Sequence, residues 1–373
     1  KRAASDPTSH HQQSVGSLTM WTILIVGMTA FCALATLLPF VPFAHGAIRI
    51  FDFGRLQIAG LATMTLIGAV WVYPSPAPTV YAISLLILIA ILAVQGFYIA
   101  RFTPLWKKQS ASYDPASHKK LATISLFVCN VKQSNQQYKK VTDLIDLYDP
   151  DVIILMETNQ TWVDAVSQTL VTQSHQISCP QENSYGIFLA SKWSIKEGGV
   201  QFMLNPEIPS IHCRLSLDHG HDIDLIAIHP DPPVPHADTI GRDAEILLAG
   251  TYASKRTHPF IVTGDLNDVA WSDTTRRFLR LSQLLDPRQG RGLFNSFDAR
   301  IPFLRWPLDH IFHSTEFELE SLKRLPFVGS DHFPMFYRLA LVSDANNTPP
   351  PEATHEDMQE AKTLIKKEEK RLV

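Results

Sequence analysis

Cysteine is scarce in this sequence, which has four cysteines among 373 residues. They show neither the paired spacing of a zinc site nor that of a disulfide framework, so we expect unpaired, buried thiols that do not identify a redox compartment. The motifs GxxxxGK[ST] and GxSxG are also missing. A P-loop and a serine-hydrolase nucleophile elbow are therefore excluded. The cysteines are Cys32, Cys129, Cys179 and Cys213.

Excess positive charge is lacking as well. The formal net charge is −3, and residues 121–342 carry about 19 Lys and Arg against about 26 Asp and Glu. A protein that tracks duplex DNA is expected to have a basic domain, so a nucleic-acid partner is not favoured. Arg276 and Arg280 share one face of a predicted helix and could form a local basic patch, although a solvated helix surface is the commoner arrangement.

Charged residues are nearly absent from the first hundred positions, where three apolar runs occur at residues 20–41, 56–73 and 80–98. Each run is long enough to cross a bilayer as a helix, and the first is too long for a signal peptide. A buried helical hairpin is the alternative, but three such runs are difficult to bury in a soluble domain. Aromatic residues mark the run ends, as at a membrane interface: Trp21, Trp71, Tyr73, Tyr81, Phe97 and Tyr98.

These runs predict a multi-pass region over residues 20–100 in the cytoplasmic membrane. An odd number of spans places the tail at residues 1–19 and the soluble region on opposite sides. Basic residues near the spans favour the cytoplasm for the soluble region, by the positive-inside rule. These residues are Arg49, Arg55, Arg101, Lys107 and Lys108.

The remaining chain divides into a polar linker at residues 101–120, a soluble domain at residues 121–342 and a proline-rich, charged segment at residues 343–373. The composition of the last segment predicts a flexible tail, with a solvated helix as the alternative. Apolar runs alternate with helical spacing in the soluble domain, and this alternation indicates an α/β sandwich. Strands are predicted at residues 121–130, 152–157, 186–190, 211–217, 223–229, 260–263 and 310–313, and helices at residues 138–148, 237–254 and 274–284.

Polar residues follow these apolar strands at the points where α/β proteins gather functional side chains. Hard oxygen ligands together with neutral imidazoles and amides suit Mg²⁺ or Mn²⁺ and a phosphate. Each residue alone has an ordinary explanation as a cap, a turn or a surface group, so the series carries the argument. Its members are Asn130, Glu157, His229, Asp265 and Asn267 of GDLN, Asp309 of LDHIF, and Asp331 and His332 of SDH.

In this order the residues resemble the endonuclease/exonuclease/phosphatase (DNase I-like) superfamily over about residues 121–341. The His-Pro-Asp-Pro-Pro segment that starts at His229, together with the apolar leader, resembles a bacterial membrane-anchored branch, associated with polyprenyl pyrophosphates outside the cytoplasmic membrane. The resemblance implies a four-layer αββα sandwich preceded by a three-helix transmembrane region. It also implies hydrolysis of a phosphoester or pyrophosphate, with a membrane lipid among the candidate substrates, by a water molecule that attacks in line with the help of Mg²⁺ or Mn²⁺.

The resemblance further implies a metal side of the site. Glu157 would ligate the ion, Asn130 would support it, and Asp331 would lie nearby. Nucleases of the family often carry an aspartate two residues after the first asparagine, where this chain has Lys132. That departure implies a single metal ion and speaks against a repair nuclease.

A catalytic side is implied in the same way. Asp265 would orient or deprotonate the attacking water, and Asn267 and His229 would hold phosphate oxygens. Asp309 would fix the orientation of His332, which would stabilise the developing charge. A metal-dependent endonuclease or exonuclease is the first alternative function, and a non-catalytic membrane scaffold is the second. The oligomeric state is not specified by the sequence.

The odd number of predicted spans makes a testable prediction about topology. Tags fused to the N-terminus and to the C-terminus should give opposite results in a protease-protection assay on sealed vesicles, because the chain ends would lie on opposite sides. Protection of both tags, or of neither, would show that one apolar run does not cross the membrane.

Overall fold

The computed structural model describes residues 7–41, 43–72 and 78–372, so the start of the predicted tail and the predicted span end at Tyr73 lie outside the described residues. The contacts divide the chain into two units. The first unit extends to Ala100, and the second begins at Arg101 and also includes Ala44–Ala47.

The first unit is helical, and its helices are α1 (Pro7–Leu37), α2 (Gly46–Phe53), α3 (Arg55–Val72) and α4 (Pro78–Ala100), with a short 3₁₀ turn at Leu38–Phe40. Three stretches are long and apolar enough to cross a membrane. Many of their large apolar side chains are exposed in the unit, as expected of a surface that faces lipid. The stretches are Met20–Phe40, Arg55–Val72 and Pro78–Ala100.

A buried polar chain joins the helices of this unit. Arg55 donates to Asp52 at 2.7 Å and to Gln95 at 3.3 Å, and Gln95 donates to Thr36 at 2.9 Å. Polar groups within an apolar bundle must find partners inside it. Arg55 therefore belongs to the helix packing, and the sequence argument for a cytoplasmic soluble region depends on the other basic residues.

The second unit contains two β-sheets. Among the described residues the strands are β1 (Lys120–Asn130), β2 (Val152–Met156), β3 (His175–Cys179), β4 (Ile187–Ser191), β5 (Ser194–Gln201), β6 (Ser210–Ser216), β7 (Asp222–Ala227), β8 (Phe260–Asp265), β9 (Asp309–His313), β10 (Phe317–Arg324) and β11 (Met335–Val342). One sheet has the order β10-β11-β1-β2-β4-β3, and the other has the order β5-β6-β7-β8-β9. Both sheets are mixed, because β1–β2 and β7–β8 are parallel pairs and the remaining pairs are antiparallel.

Helices cover the outer faces of both sheets. They are α5 (Tyr138–Tyr148), α6 (Gln160–Ser167), α7 (Ile240–Ser254), α8 (Asp273–Ser282) and α9 (His355–Arg371), with a 3₁₀ turn at Asp218–Gly220. One apolar core lies between the sheets, a second lies under α5 and α6, and a third lies under α7, α8 and α9. Every residue of β2 is buried, as expected of a strand with a sheet on one face and helices on the other. The predicted four-layer αββα sandwich is confirmed.

The strand directions bring several chain segments to one edge of the sandwich. The parallel pairs β1–β2 and β7–β8 end there. β9 starts at this edge, where Asp309 pairs with Asp265, the last residue of β8. β11 also starts there, beside the end of β1, with Met335 opposite Val128. We call this the catalytic edge, because the residues that the sequence analysis predicts to be catalytic follow or begin these strands.

The segment predicted as a linker packs on the second unit. Phe102 and Ser110 are buried. Ser110 bonds His313 at 2.8 Å, and the side chain of Gln109 accepts from the backbone of Asp286 at 2.8 Å. These contacts explain why a segment of polar composition follows a defined path.

The segment predicted as a flexible charged tail contains a docked helix. Thr354 and Asp357 form a capping box that starts α9, and Ala361 joins the core under α7 and α8. The Asp357 carboxylate also accepts from Arg280 at 2.6 and 2.7 Å and from Arg277 at 3.3 Å. The high charge of this segment gives no sign of the narrow helix face on which buried Asp357 pairs with Arg277 and Arg280 of α8.

The docking of α9 predicts an effect for Asp357→Asn. The hydrogen bonds from Arg280 hold the pKa of Asp357 well below its ordinary value. This contribution is therefore complete above the ordinary aspartate pKa of about 3.9 and is lost as the pH falls towards the pKa of the folded state. We expect the substitution to cost about 2 kcal/mol, as for hydrogen bonds to charged groups. Hydrogen exchange of the α9 amides at neutral pH should accelerate accordingly.

Glu360→Gln is the matched control. Glu360 lies exposed on the same helix, so its substitution changes the same charge without removing a buried contact. Equal exchange in the two variants would contradict a docking role for Asp357.

Candidate active site

Asn130 and Glu157 lie side by side at the ends of β1 and β2. The Asn130 Nδ2 donates to the Glu157 Oε1 at 2.8 Å and to the Asp265 Oδ2 at 3.0 Å. Glu157 has a positive φ of 58°, which is uncommon for a residue with a side chain. The next residue, Thr158, holds this turn by donating to the Gly186 carbonyl at 3.0 Å. The polar end of the first sheet is thus fixed from both strands.

Asp265 is the buried carboxylate at the centre of the catalytic edge. Its Oδ2 lies 3.3 Å from the His332 Nε2 and 3.7 Å from the His229 Nε2. Its backbone N–H points to the Met156 sulfur at 3.0 Å. Asp265 therefore contacts groups from both sheets, and the two sheets meet at this side chain.

Gly264 permits the close approach of β7 and β8 at this point. Its φ is +140°, and a Cβ atom there would lie 1.9 Å from the Ile228 carbonyl oxygen. No other residue type fits that distance without moving the backbone. Glycine is required here to bring Asp265 beside His229.

His332 lies between two carboxylates. Its Nδ1 bonds the Asp309 Oδ2 at 2.7 Å, and its Nε2 faces Asp265. The Phe297 ring covers it at a centroid distance of 4.9 Å. Burial opposes the charged form, but Asp265 and Asp309 outweigh it and raise the pKa of His332 to about 10. His332 is therefore a buried imidazolium with a fixed orientation.

Burial also shifts the pKa values of the neighbouring groups Asp265 and His229. Burial raises the pKa of Asp265, and His332 opposes that shift. Burial lowers the pKa of His229, which favours a neutral imidazole. The His229 Nδ1 is buried and has no hydrogen-bond partner among the described residues. The edge thus combines a carboxylate with raised basicity, a cationic imidazole and a neutral imidazole.

Asn267 lies next to Asp265 and shapes the loop after β8. Its backbone N–H donates to the Asp265 Oδ1 at 3.0 Å, and its side chain donates to the Pro230 carbonyl at 3.0 Å. The Arg242 guanidinium donates to the Asn267 carbonyl at 2.9 Å. The structure therefore gives Asn267 a direct part in joining the loops that carry Asp265 and His229.

Asp331 is held by cations. Lys132 pairs with its carboxylate at 2.7 Å, and Arg300 approaches it at 3.5 Å. The Lys132 backbone N–H also donates to the Asn130 Oδ1 at 3.0 Å. Asp331 and Lys132 thus form a charged pair beside Asn130.

Several residues at the edge were not identified from the sequence. The Ser330 hydroxyl donates to the Asn130 carbonyl at 2.7 Å and accepts from the His332 N–H at 3.0 Å. The SDH motif contains this serine, so the motif could have identified it. Ser296, which accepts from the Asp309 N–H at 3.1 Å, and Phe297 lie in a loop without a motif. Tyr185, which donates to Asp231 at 2.5 Å beside His229, also has none.

Comparison with known proteins agrees with the observed fold. The model of the endonuclease/exonuclease/phosphatase family matches residues 127–332, more than half of the chain. The chain belongs to this family. No curated protein sequence matches it.

Solved structures share the fold at low sequence identity. D. rerio TDP2 complexed with single-strand DNA product is 14% identical, with a TM-score of 0.50, and the match covers 58% of this chain and 98% of that chain. A family protein from Bacteroides thetaiotaomicron is 18% identical, with coverage of 60% and 97% and a TM-score of 0.47. The human Nocturnin catalytic domain with bound sulfate is 15% identical, with coverage of 61% and 97% and a TM-score of 0.47. At these identities the likeness concerns the fold alone.

Members of the endonuclease/exonuclease/phosphatase family hydrolyse phosphoester bonds and typically depend on a divalent metal. Two groups here have suitable donors. Asp265, Asp309 and His332 bring their ligand atoms within 4.8 Å of one another, although the His332 Nδ1 already bonds Asp309. Glu157 is half-buried and has no ion-pair partner among the described residues. Its carboxylate oxygens are donors of the kind that Mg²⁺ prefers, and the Asn130 Nδ2 holds one of them in place, so Glu157 fits the ion.

The contact between Asp309 and His332 predicts non-additive kinetics. Asp309→Asn and His332→Ala should each lower kcat by about 10²–10⁴-fold, because each removes the oriented imidazolium. The double variant should be little slower than the slower single variant. Effects that multiply would show that the two residues act independently.

His313→Gln supplies the control for loss of a buried imidazole. His313 lies at the far end of β9 and bonds Ser110 and the Ser314 carbonyl. The folded fraction of the His313→Gln variant should keep near-normal turnover.

Proposed function

We propose that the protein is a membrane-anchored, metal-dependent hydrolase of a phosphoester or pyrophosphate, with a membrane lipid as the substrate. Water attacks phosphorus in line, and no side chain forms a covalent intermediate. The main support is the buried sequence of contacts from Asp309 through His332 to Asp265, next to Asn130 and Glu157.

The chemistry follows from the charges at the edge. Asp265 orients the water and accepts its proton, and its raised pKa brings its basicity closer to neutral pH. His332 donates to a phosphate oxygen and stabilises the negative charge that develops in the transition state. Asp309 holds His332 in its charged form. His229 and Asn267 hold further phosphate oxygens beside Asp265.

Glu157, supported by Asn130, would hold Mg²⁺ or Mn²⁺, which when bound neutralises phosphate charge. Asp331 was assigned to the metal side from the sequence. Its pairing with Lys132 and Arg300 supports a different proposal, in which Asp331 positions these two cations.

A cavity of about 440 Å³ beside the edge supports an anionic substrate. Lys132 and Arg300 line it, together with Asn135, Gln137 and Gly329. Two cations and several amides suit a second phosphate group. This lining favours a pyrophosphate or another substrate with adjacent phosphates over a simple monoester.

A nuclease is the second candidate. Its support is that D. rerio TDP2, which shares the fold, has been solved with single-strand DNA product. The excess of acidic residues in residues 121–342 opposes it, because nucleic-acid binding depends on positive charge. A non-catalytic scaffold is opposed by the intact set of residues at the edge.

A substrate panel with the full chain in proteoliposomes tests the proposal. We expect Mg²⁺-dependent release of phosphate from polyprenyl pyrophosphate or a phosphoinositide, in preference to hydrolysis of sphingomyelin, plasmid DNA or RNA. Activity should vanish in EDTA and return with Mg²⁺ or Mn²⁺. Glu157→Ala should lower it by about 10²-fold or more.

Glu182→Ala is the matched control, because Glu182 is an exposed carboxylate that contacts Gln133 near the same edge. Full activity in EDTA would exclude metal dependence. Hydrolysis of DNA alone would favour the nuclease, and no hydrolysis of any substrate would favour the scaffold.

A further inference from the structure

A loop at residues 297–306 begins and ends at the catalytic edge. The backbones of Phe297 and Trp306 exchange hydrogen bonds, and their rings stack at 6.0 Å. Phe297 also packs on His332 at 4.9 Å. The Ala299 N–H donates to the Asp331 carbonyl at 2.7 Å. The base of the loop is thus fixed against the catalytic imidazole.

The outer part of this loop is shaped by its own backbone. Asp298 donates to the Leu304 carbonyl at 3.1 Å, Leu304 donates to the Ile301 carbonyl at 3.2 Å, and Ile301 donates to the Asp298 carbonyl at 3.3 Å. Arg305 adds bonds to the carbonyls of Asp298 and Ala299 at 3.3 and 3.1 Å. A tight, internally bonded turn therefore presents its side chains outwards.

Those side chains are apolar. Phe303 is 86% exposed, Ile301 43% and Leu304 41%. Phe327, 43% exposed, extends the surface through an edge contact with Phe333 at 6.4 Å. We call Ile301, Phe303, Leu304 and Phe327 the apolar rim. A cluster of exposed apolar side chains beside a catalytic site marks a contact surface for another molecule or for a membrane.

Cations surround the apolar rim. Arg305 and Arg324 lie over the Phe333 ring at 4.9 and 4.6 Å, and Lys140 lies over Phe327 at 5.8 Å. No carboxylate among the described residues forms an ion pair with these three side chains. Positive charge is therefore concentrated here, although the domain as a whole is acidic.

We propose that the apolar rim and its three cations bind the surface of an anionic lipid bilayer and deliver a lipid phosphate to His332. This assignment rests on the proposed function. Aromatic and aliphatic side chains enter the interfacial region of a bilayer, and basic side chains bind anionic headgroups. The same chain contains three helices of membrane-spanning length, so a bilayer is the partner at hand. Single-stranded nucleic acid, which stacks on exposed aromatic rings beside cations, is the competing partner.

Fluorescence of the full chain in liposomes that contain anionic lipid tests the contact directly. An environment-sensitive dye is attached to Phe303→Cys and, as the matched control, to Val171→Cys. Val171 is 91% exposed and precedes β3, at the opposite end of the first sheet. The unsubstituted chain, whose cysteines are buried or half-buried, measures background labelling.

The dye at position 303 should shift to the blue and be quenched by spin-labelled lipid, and the dye at position 171 should not. Ile301→Cys repeats the measurement if Phe303→Cys does not fold. A dye in an aqueous environment at both 303 and 301 overturns the proposal. This measurement needs no catalytic activity, so it stands even if the proposed hydrolysis fails.

Turnover by the same proteoliposomes tests delivery of the substrate. Phe303→Ser should lower hydrolysis of the lipid by about tenfold or more, as expected for loss of a phenyl ring that the bilayer would bury. It should leave hydrolysis of bis(4-nitrophenyl) phosphate unchanged. Val171→Ser should change neither. Equal loss with both substrates overturns the proposal in favour of a structural role. Loss confined to single-stranded DNA overturns it in favour of a nucleic-acid platform.

Discussion

His332 is buried between Asp265 and Asp309, and this contact requires distant parts of the chain to meet. Asp265 ends β8 of one sheet, Asp309 begins its neighbour β9, and His332 precedes β11 of the other sheet. A buried imidazolium is tolerated only where carboxylates compensate the loss of water. The packing of the two sheets therefore places the charges, and the charges in turn restrict how the sheets can pack.

Acidic and basic side chains occupy different parts of the catalytic edge. Glu157, Asp265 and Asp309 lie at the centre, and Lys132 and Arg300 lie towards the loop at residues 297–306. Asp331 binds both of these cations and so keeps the two regions at a fixed separation. A substrate with a phosphate group at one end and an apolar body at the other would match this change from the charged edge to the apolar rim across the surface.

The sequence predicted more of the catalytic edge than of its surroundings. Residues such as Glu157 and Asp265 follow continuous apolar runs, because their strands are buried on both faces, and such runs are easily seen. The edge strands β3 and β5 are largely exposed and carry no such pattern, so they were missed. Strands β10 and β11 were missed as well, although β11 is buried along almost its whole length. Helix α9 was taken for a tail because its charge outweighs its narrow buried face. The loop at residues 297–306 depends on bonds among its own backbone groups and on the bond from Ala299 to Asp331, and the apolar periodicity of the sequence records neither.

The glycine before Asp265 adds a steric requirement to the GDLN motif. The aspartate and asparagine of the motif have polar side-chain atoms, whereas Gly264 has no side chain. Its place follows from the 1.9 Å that would separate a Cβ atom from the Ile228 carbonyl. The first letter of the motif thus records a distance between two backbones, whereas the second records a side-chain carboxylate. Motif searches that score all four letters alike combine a steric requirement with a chemical one. A relative that lost this aspartate but kept the fold would therefore still need the glycine.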